Sequence, residues 1–139
     1  MIYVQQCLLC FLLKTAIISY AQSTDRKEVI PQERGKVLYE NHCLACHQAD
    51  GSGVPNLNPP LIKTEWTLGQ KDKLIRVILA GLDEEIEVDG ETYHNVMPPM
   101  PHLSDREIAE VLTFVRTNFS NNASRILEAD VKAVRDKLE

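Results

Sequence analysis

The chain has 139 residues, with 15 Lys and Arg against 20 Asp and Glu, so its formal net charge at pH 7 is −5. This length fits one domain, and a domain so small buries a thin core to which an internal apolar cofactor would add. The sequence carries no basic patch that would neutralise phosphates, which excludes nucleic acid and anionic membrane surfaces as expected partners.

The first 21 residues differ from the rest of the chain. They are largely apolar, are interrupted by Lys14 and end in a small-x-small pattern at Ala21, which is typical of a secretory signal peptide cleaved after Ala21. The apolar runs on either side of Lys14 are too short to span a bilayer. We therefore expect a signal peptide over residues 1–21 and one domain over residues 22–139, with no membrane span in the mature chain. That mature chain has 118 residues (139 − 21) and a net charge of −6 (14 − 20).

The first predicted helix runs from Pro31 to about Asn41, with Gly35, Leu38 and Tyr39 on one face. Proline suits the first position of a helix because its missing N–H would have no partner there. A glycine within a helix costs about 1 kcal/mol relative to alanine. Gly35 is therefore either a tolerated surface residue or a position with a packing role.

Four cysteines form two C-x-x-C pairs, and the pair in the export signal, Cys7 and Cys10, is not expected to reach the folded protein. The second pair, Cys43 and Cys46, is followed by His47, which completes the C-x-x-C-H pattern of covalent haem attachment. Two thiols at this spacing reach both vinyl groups on one edge of a porphyrin. The imidazole of His47 then becomes an axial ligand of the iron.

Other chemistry for this pair is less favoured. A thiol–disulfide redox pair normally follows a strand of a βαβ unit, and no strand pattern precedes Cys43. A zinc site needs further ligands, but the mature chain has no other cysteine pair, and His42, His94 and His102 lack the spacing of a zinc finger. A lone disulfide would be sterically awkward and would leave His47 unexplained. The sequence predicts one haem c per chain.

The sixth iron ligand is expected in the proline-rich segment 96–101. The mature chain contains two methionines, Met97 and Met100, and Met97 follows His47 by 50 residues (97 − 47). Proline makes this segment stiff, which suits a weak iron–thioether bond, and a methionine ligand raises the reduction potential. The alternatives are ligation by His94 or His102, or no protein ligand, with both methionines serving as flexible apolar filler.

The middle of the chain alternates loops and short elements. Glycine and proline punctuate residues 51–60, which we expect to form a loop around the haem edge. Apolar spacing predicts a helix over Lys71 to Leu79, with Gly81 just beyond its end. Residues 85–93 predict a small hairpin that turns at Asp89-Gly90.

Two helices are predicted in the last third. Ser104 and Glu107 form a capping box for a helix from Asp105 to Phe119. A final amphipathic helix is expected from Glu128 to Lys137. The residues expected to pack this helix against the rest are Val131, Val134 and Leu138.

Together these residues resemble class I c-type cytochromes, and in particular the bacterial single-haem domains that serve quinoprotein dehydrogenases and terminal oxidases. The resemblance runs from about Gln32 to Leu138. It rests on Gly35-Lys36-Val37-Leu38-Tyr39, Cys43 to His47, Asp50 to Pro55, Pro59-Pro60-Leu61, Leu79-Ala80-Gly81, Met97-Pro98 and Leu103-Ser104-Asp105. It implies an all-α cytochrome c fold, with about four to five helices around one covalent haem and a small hairpin.

The resemblance also implies roles for single residues. Met97 matches the place of the family's ligand methionine, although Met100 is also followed by proline and remains an alternative. A proline carbonyl is expected to accept the Nδ1–H of His47, with Pro59 as first choice and Pro55 as second. On the first helix, a glycine at the place of Gly35 would let a later helix cross closely. The acidic segment 83–91 departs from the family pattern and has no assigned role.

Three further side chains are candidates to line the haem with polar tips, or else to pack in the core: Trp66, Tyr93 and Asn95. With both axial positions filled, the protein would have no open site for substrate, so the predicted function is one-electron transfer rather than catalysis. The acidic balance favours redox partners with a basic docking patch. Covalent haem attachment on the outer side of the bacterial cytoplasmic membrane implies a periplasmic location. The alternatives are an open-site haem protein that binds peroxide or gas, and a permanent haem subunit of a larger oxidoreductase.

Overall fold

The computed structural model describes residues 31–138, which form six helices and one two-stranded hairpin. In chain order these are α1 (Pro31–His42), α2 (Leu44–His47), α3 (Glu65–Leu68), α4 (Lys71–Ala80), β1 (Ile86–Val88), β2 (Glu91–Tyr93), α5 (Asp105–Thr117) and α6 (Glu128–Arg135). The predicted all-α fold with a small hairpin is confirmed, and the two extra helices, α2 and α3, are single turns that the sequence did not predict. No helix within 31–138 is long and apolar enough to cross a membrane. The predicted signal peptide, its cleavage after Ala21 and the first cysteine pair lie outside the described residues.

Helices α1 and α5 cross in close contact at Gly35. A Cβ atom at Gly35 would overlap the carbonyl O of Glu110 and would lie 2.9 Å from the Cβ of Phe114. The contact continues along α1, where the rings of Tyr39 and Phe114 have centroids 5.5 Å apart and both pack against Phe119. Gly35 therefore has a packing role, because only a residue without a side chain allows this approach.

Helix α5 lies at the centre of the core, and its capping box is present. Ser104 Oγ accepts from the backbone N–H of Glu107, and the Glu107 carboxylate accepts from the backbone N–H of Ser104 at 2.8 Å. The helix ends at Thr117, two residues before the predicted Phe119. Its end is explained by Asn118, whose Nδ2 donates to the carbonyl O of Phe114 at 2.9 Å, and by the left-handed backbone of Phe119.

Helix α6 packs against α4 and α5 through Val131 and Val134, as predicted. The prediction that Leu138 packs with them is wrong, since 39% of Leu138 is exposed. The helix ends at Arg135, so Leu138 no longer follows the helical spacing that would return it to the buried face.

The hairpin pairs Ile86 with Tyr93 and Val88 with Glu91 in antiparallel register. Its turn residues Asp89 and Gly90 have φ values of 53° and 84°, as a two-residue type I′ turn requires. Successive side chains of a strand point to opposite faces. Ile86, Val88 and Tyr93 therefore point to one face of the hairpin, while Glu87 points to the other and is exposed.

Candidate functional site

A largely apolar cavity brings the predicted site residues together. The predicted residues that line it are Cys43, Cys46, His47, Pro59, Trp66, Tyr93, Asn95, Met97 and Met100. Its predominantly apolar lining with a few polar groups is that of an organic cofactor site. Pro55, the second choice for a contact to His47, is exposed and does not line the cavity.

The haem motif sits at the corner between α1 and α2. Backbone bonds from the N–H of Cys43 to Tyr39 O (2.8 Å) and from the N–H of His47 to Cys43 O (2.9 Å) fix the turn. The Tyr39 hydroxyl donates to the carbonyl O of Gln48 at 2.6 Å, which ties the end of the motif back to α1. This arrangement buries Cys43 and His47 and leaves Cys46 exposed at the cavity.

The loop after the motif presents a carbonyl group to His47. The Nδ1–H of His47 donates to the carbonyl O of Pro59 at 2.9 Å. Gly53, with φ of 68°, allows the loop to fold back, because a Cβ there would overlap Asn58 O and lie 2.7 Å from Pro59 O. Reciprocal backbone bonds of 2.8 Å between Val54 and Asn58 close the loop. The contact that the resemblance implied between His47 and Pro59 is thus present.

This contact determines the state of the imidazole. A carbonyl oxygen only accepts hydrogen bonds, so the proton lies on Nδ1 and the lone pair lies on Nε2. Nε2 makes no hydrogen bond within residues 31–138. Burial lowers the pKa of His47, against the opposing effect of its bond to Pro59, so the ring stays neutral. A neutral imidazole with one nitrogen free is the form that binds a metal ion.

The Cys43 thiol does not have the lowered pKa of a redox-active cysteine. Burial, followed by the nearby Cys46, raises the pKa of the Cys43 thiol to about 11. Redox-active cysteines have lowered pKa values because the thiolate is the reactive form. In the part of the chain that the structure describes, no three His, Cys, Asp or Glu side chains are grouped to hold a metal ion.

Both methionines are held at the cavity by their backbones. Met97 and Leu82 exchange two N–H···O bonds of 2.9 Å, and the N–H of Met100 donates to Ile78 O at 2.8 Å. Gly81 permits the first contact, since its φ is 77° and a Cβ there would lie 2.7 Å from Met97 O. Met97 and Met100 are both partly buried against the core.

The histidines considered as alternative ligands do not line the cavity. The side chain of His94 is 65% exposed, and its Nδ1 lies 3.1 Å from Glu85 Oε2. His102 stacks loosely on His42, with ring centroids 6.0 Å apart. The cavity lining therefore includes both methionines and two histidines, His47 of the haem motif and the exposed His42.

The polar candidates around the cavity differ in their surroundings. Asn95 Nδ2 donates to Asn58 Oδ1 at 2.7 Å, so its amide is already engaged. The ring of Trp66 lies beneath Lys73, whose Nζ is 3.5 Å from the ring centroid. Tyr93 is buried on the inner face of the hairpin.

Two buried polar residues behind the cavity wall were not predicted. Asn121 accepts from the N–H of Lys63 and donates to the carbonyl groups of Leu61 and Val115, all between 2.7 and 2.8 Å. Arg116 is buried on α5. Arg116 follows the apolar residue Leu112 by four positions, so its place on the buried face was a usable signal. Asn121 follows the helix and carried no such signal.

Comparison with known proteins gives a consistent result. A family model described as cytochrome c matches residues 32–119. Cytochrome c-552 of Thermus thermophilus is 38% identical over 92 residues, which cover 63% of this chain and 62% of that protein. The fructose dehydrogenase cytochrome subunit of Gluconobacter japonicus is 31% identical over 110 residues, covering 73% of this chain and 22% of that subunit. The gluconate 2-dehydrogenase cytochrome c subunit of Pantoea cypripedii is 31% identical over 107 residues, which cover 74% of this chain and 24% of that subunit.

The chain thus matches less than two thirds of the first of these proteins and about a quarter or less of the two dehydrogenase subunits. The family match itself covers more than half of this chain. Cys43, Cys46 and His47 of the C-x-x-C-H motif lie within the matched segment and line the cavity. The chain belongs to the cytochrome c family, electron-transfer proteins whose cofactor is covalently bound haem c.

Proposed function

We propose that this protein is a periplasmic one-electron carrier with a single haem c, ligated by His47 and Met97, which passes electrons between a dehydrogenase or respiratory complex and an acceptor. The observation that carries the proposal is the state of His47, whose Nδ1–H is bound to Pro59 and whose Nε2 is free at an apolar cavity. The two free thiols at the same cavity fit covalent attachment of the porphyrin. The residues present therefore fit haem c.

Haem c supplies one-electron oxidation and reduction at its iron. Cys43 and Cys46 would hold the porphyrin through thioether bonds, and His47 would bind the iron through Nε2. The Pro59 carbonyl keeps the imidazole in one orientation and raises its basicity as a ligand. The apolar lining excludes water, which disfavours the more highly charged oxidised state.

Met97 is the proposed sixth ligand because its backbone is bonded in both directions to one cavity-lining residue, Leu82. A weak iron–thioether bond needs a ligand whose position does not depend on the iron. Met100, bonded through its N–H to Ile78, is the alternative. Either thioether would fill the sixth position and leave no open site for peroxide or gas.

Matched substitutions test this ligand set. Met97→Leu removes the sulfur and nearly keeps the volume, and Met100→Leu is its control. We expect haem-loaded Met97→Leu to lose the near-infrared sulfur–iron band of the oxidised protein and to bind carbon monoxide rapidly when reduced. Met100→Leu should keep the band. The reverse pattern assigns Met100, and a wild-type protein that lacks the band and binds carbon monoxide is the open-site haem protein.

The acidic hairpin supports a basic redox partner. The segment 83–91 contains six Asp and Glu side chains, all exposed, and no Lys or Arg occurs between Arg76 and Arg106. Ile86, Val88 and Tyr93 of the same hairpin line the cavity. The carboxylates therefore lie on a segment that borders the haem site, where they attract a positively charged surface.

The charge of the hairpin is tested with a small cationic reductant, hexaammineruthenium(II), and the anion ferrocyanide. The double variant Glu87→Gln/Glu91→Gln should be reduced more slowly by the cation, faster by the anion and with a weaker dependence on salt. Glu33→Gln/Glu128→Gln changes the net charge equally at exposed residues that do not line the cavity and is the control. Equal effects in both double variants would mean that only net charge matters.

The second candidate function is that of a permanent haem subunit, which the names of the relatives from Gluconobacter and Pantoea favour, since both are cytochrome subunits of dehydrogenases. Gel filtration of a native cell extract, followed by haem staining, separates the two functions. A free carrier elutes at the size of the single chain. A permanent subunit elutes with a larger dehydrogenase or oxidase, and fractionation of the same cells tests the periplasmic location.

A further inference from the structure

Arg116 is a buried cation without an anionic partner. Only 2% of its surface is exposed. Its Nε donates to Ser124 O at 2.8 Å, and its Nη1 donates to Thr67 O at 2.6 Å and to Gly69 O at 3.2 Å. Nη2 makes longer contacts of 3.5 Å to Leu68 O and 3.4 Å to Ser124 Oγ. All of these acceptors are neutral, and Arg116 forms no ion pair within residues 31–138.

The guanidinium keeps its full charge in this position. Burial lowers the pKa of Arg116, but the ordinary value is so far above neutrality that the group stays protonated. A buried charge is costly unless hydrogen bonds or an opposite charge compensate it. Here carbonyl dipoles satisfy the N–H groups, yet no carboxylate side chain among residues 31–138 forms an ion pair with the guanidinium.

This charge lies directly behind the wall of the haem cavity. Thr67, which accepts the shortest bond from Arg116, lines the cavity, and so does Val115, the preceding residue on α5. One layer of protein therefore separates the guanidinium from the cofactor site. In a protein interior, a positive charge one layer of residues away acts strongly on the cofactor site because little water screens the charge.

We propose that Arg116 raises the reduction potential of the haem through this uncompensated charge, an inference that rests on the proposed binding of haem c and its one-electron chemistry. Reduction adds one electron to the iron and transfers no atom. The electron comes from a reduced redox protein or, in the experiment below, from an electrode. The oxidised haem carries one more positive charge than the reduced haem, so Arg116 disfavours it. Arg116 touches no reacting atom and acts through space.

A purely structural role is the alternative, because Arg116 also joins the end of α3 to the segment around Ser124. Spectroelectrochemical titration of the haem-loaded full chain at pH 6 separates the two roles. Arg116→Gln removes the charge, and at a fixed applied potential its ratio of reduced to oxidised haem should fall about tenfold, equivalent to 59 mV for one electron. Arg116→Lys keeps the charge and should keep the potential, although both variants unfold at a lower temperature. Equal potentials in wild type and a folded Arg116→Gln would overturn the inference.

If Arg116→Gln does not fold, a second set of variants tests whether the charge of Arg116 raises the reduction potential. Ser124 is exposed, and Ser124→Asp places a carboxylate beside the guanidinium without removing it. This variant should lower the potential, whereas Ser124→Asn should not. Asn122→Asp adds the same charge at an exposed neighbour and should have a smaller effect.

The role of Arg116 and the binding of haem c are contradicted by different outcomes. If Ser124→Asp shifts the potential no more than Asn122→Asp does, the role of Arg116 is structural and the inference is wrong. A chain that carries no covalent haem would instead contradict the proposed function itself.

Discussion

The crossing of α1 and α5 makes a prediction in which two known effects have opposite signs. Gly35→Ala should stabilise α1 by about 1 kcal/mol if helix propensity alone decides the outcome. The added Cβ, however, would overlap the carbonyl O of Glu110 and lie 2.9 Å from the Cβ of Phe114. A backbone oxygen within a helix cannot rotate away, so the two helices must separate. Overpacking of this kind costs about 1–3 kcal/mol.

We therefore expect Gly35→Ala to lose up to about 2 kcal/mol of unfolding free energy, with each kcal/mol lowering the melting temperature by about 4–8 °C for a domain of this size. Guanidinium unfolding of the haem-loaded protein, followed by far-ultraviolet circular dichroism, measures the change. Val37→Ala is the matched control, because Val37 lies two residues further along α1, is 52% exposed and should change stability by less than about 0.5 kcal/mol. A Gly35→Ala protein about 1 kcal/mol more stable than wild type would refute the close crossing.

Three further predictions concern the fold around the site. Burial would raise the pKa of Glu110, but hydrogen bonds from Arg34 and Arg106 outweigh burial and lower the pKa overall. The ionised carboxylate therefore stabilises the fold above pH 4.5, and this stabilisation is lost as pH falls through the lowered pKa of the folded protein. Glu110→Gln should therefore cost up to about 1 kcal/mol at pH 7 and reduce the loss of stability between pH 5 and 3 in thermal unfolding, and an unchanged acid profile would contradict this. Asn121→Ala removes the side-chain partner of one buried and two part-buried backbone groups and should cost about 2–3 kcal/mol in the same assay, against no measurable change for exposed Asn122→Ala. Gly53→Ala should displace the carbonyl of Pro59 and speed solvent exchange of the His47 Nδ1 proton in NMR spectra, whereas slow exchange would show that the loop absorbs the methyl group.

Local chemistry explains which elements were predictable from the sequence. The type I′ turn needs two residues that tolerate positive φ, and Asp89-Gly90 supplies them. The capping box of α5 needs a hydroxyl and a carboxylate three residues apart, which Ser104 and Glu107 provide. In both cases the residues that specify the structure are neighbours in sequence, so no knowledge of the fold was required.

The features that could not be predicted depend on contacts between distant segments. Helices α2 and α3 have four residues each, which is too short for a periodic apolar pattern. The end of α5 depends on Asn118 bonding back to the helix rather than continuing it. The burial of Asn121 requires carbonyl groups that only the folded chain brings to it. Pattern reasoning therefore located the haem motif and its candidate ligands, but not the polar groups that hold the cavity in shape.

These polar groups and the apolar cavity wall have different roles at the site. The cavity wall is largely apolar, which suits a porphyrin but cannot by itself orient an imidazole or place a charge. Within the wall, the Pro59 carbonyl orients His47. Behind the wall, Asn121 joins the loop at Leu61 to α5, and Arg116 places a charge beside Thr67. Each of these groups acts on the cofactor site through one intervening residue or bond. Substitutions at these polar groups should therefore change potential or ligand dynamics while leaving covalent attachment intact, whereas substitutions of Cys43 or Cys46 should abolish attachment itself.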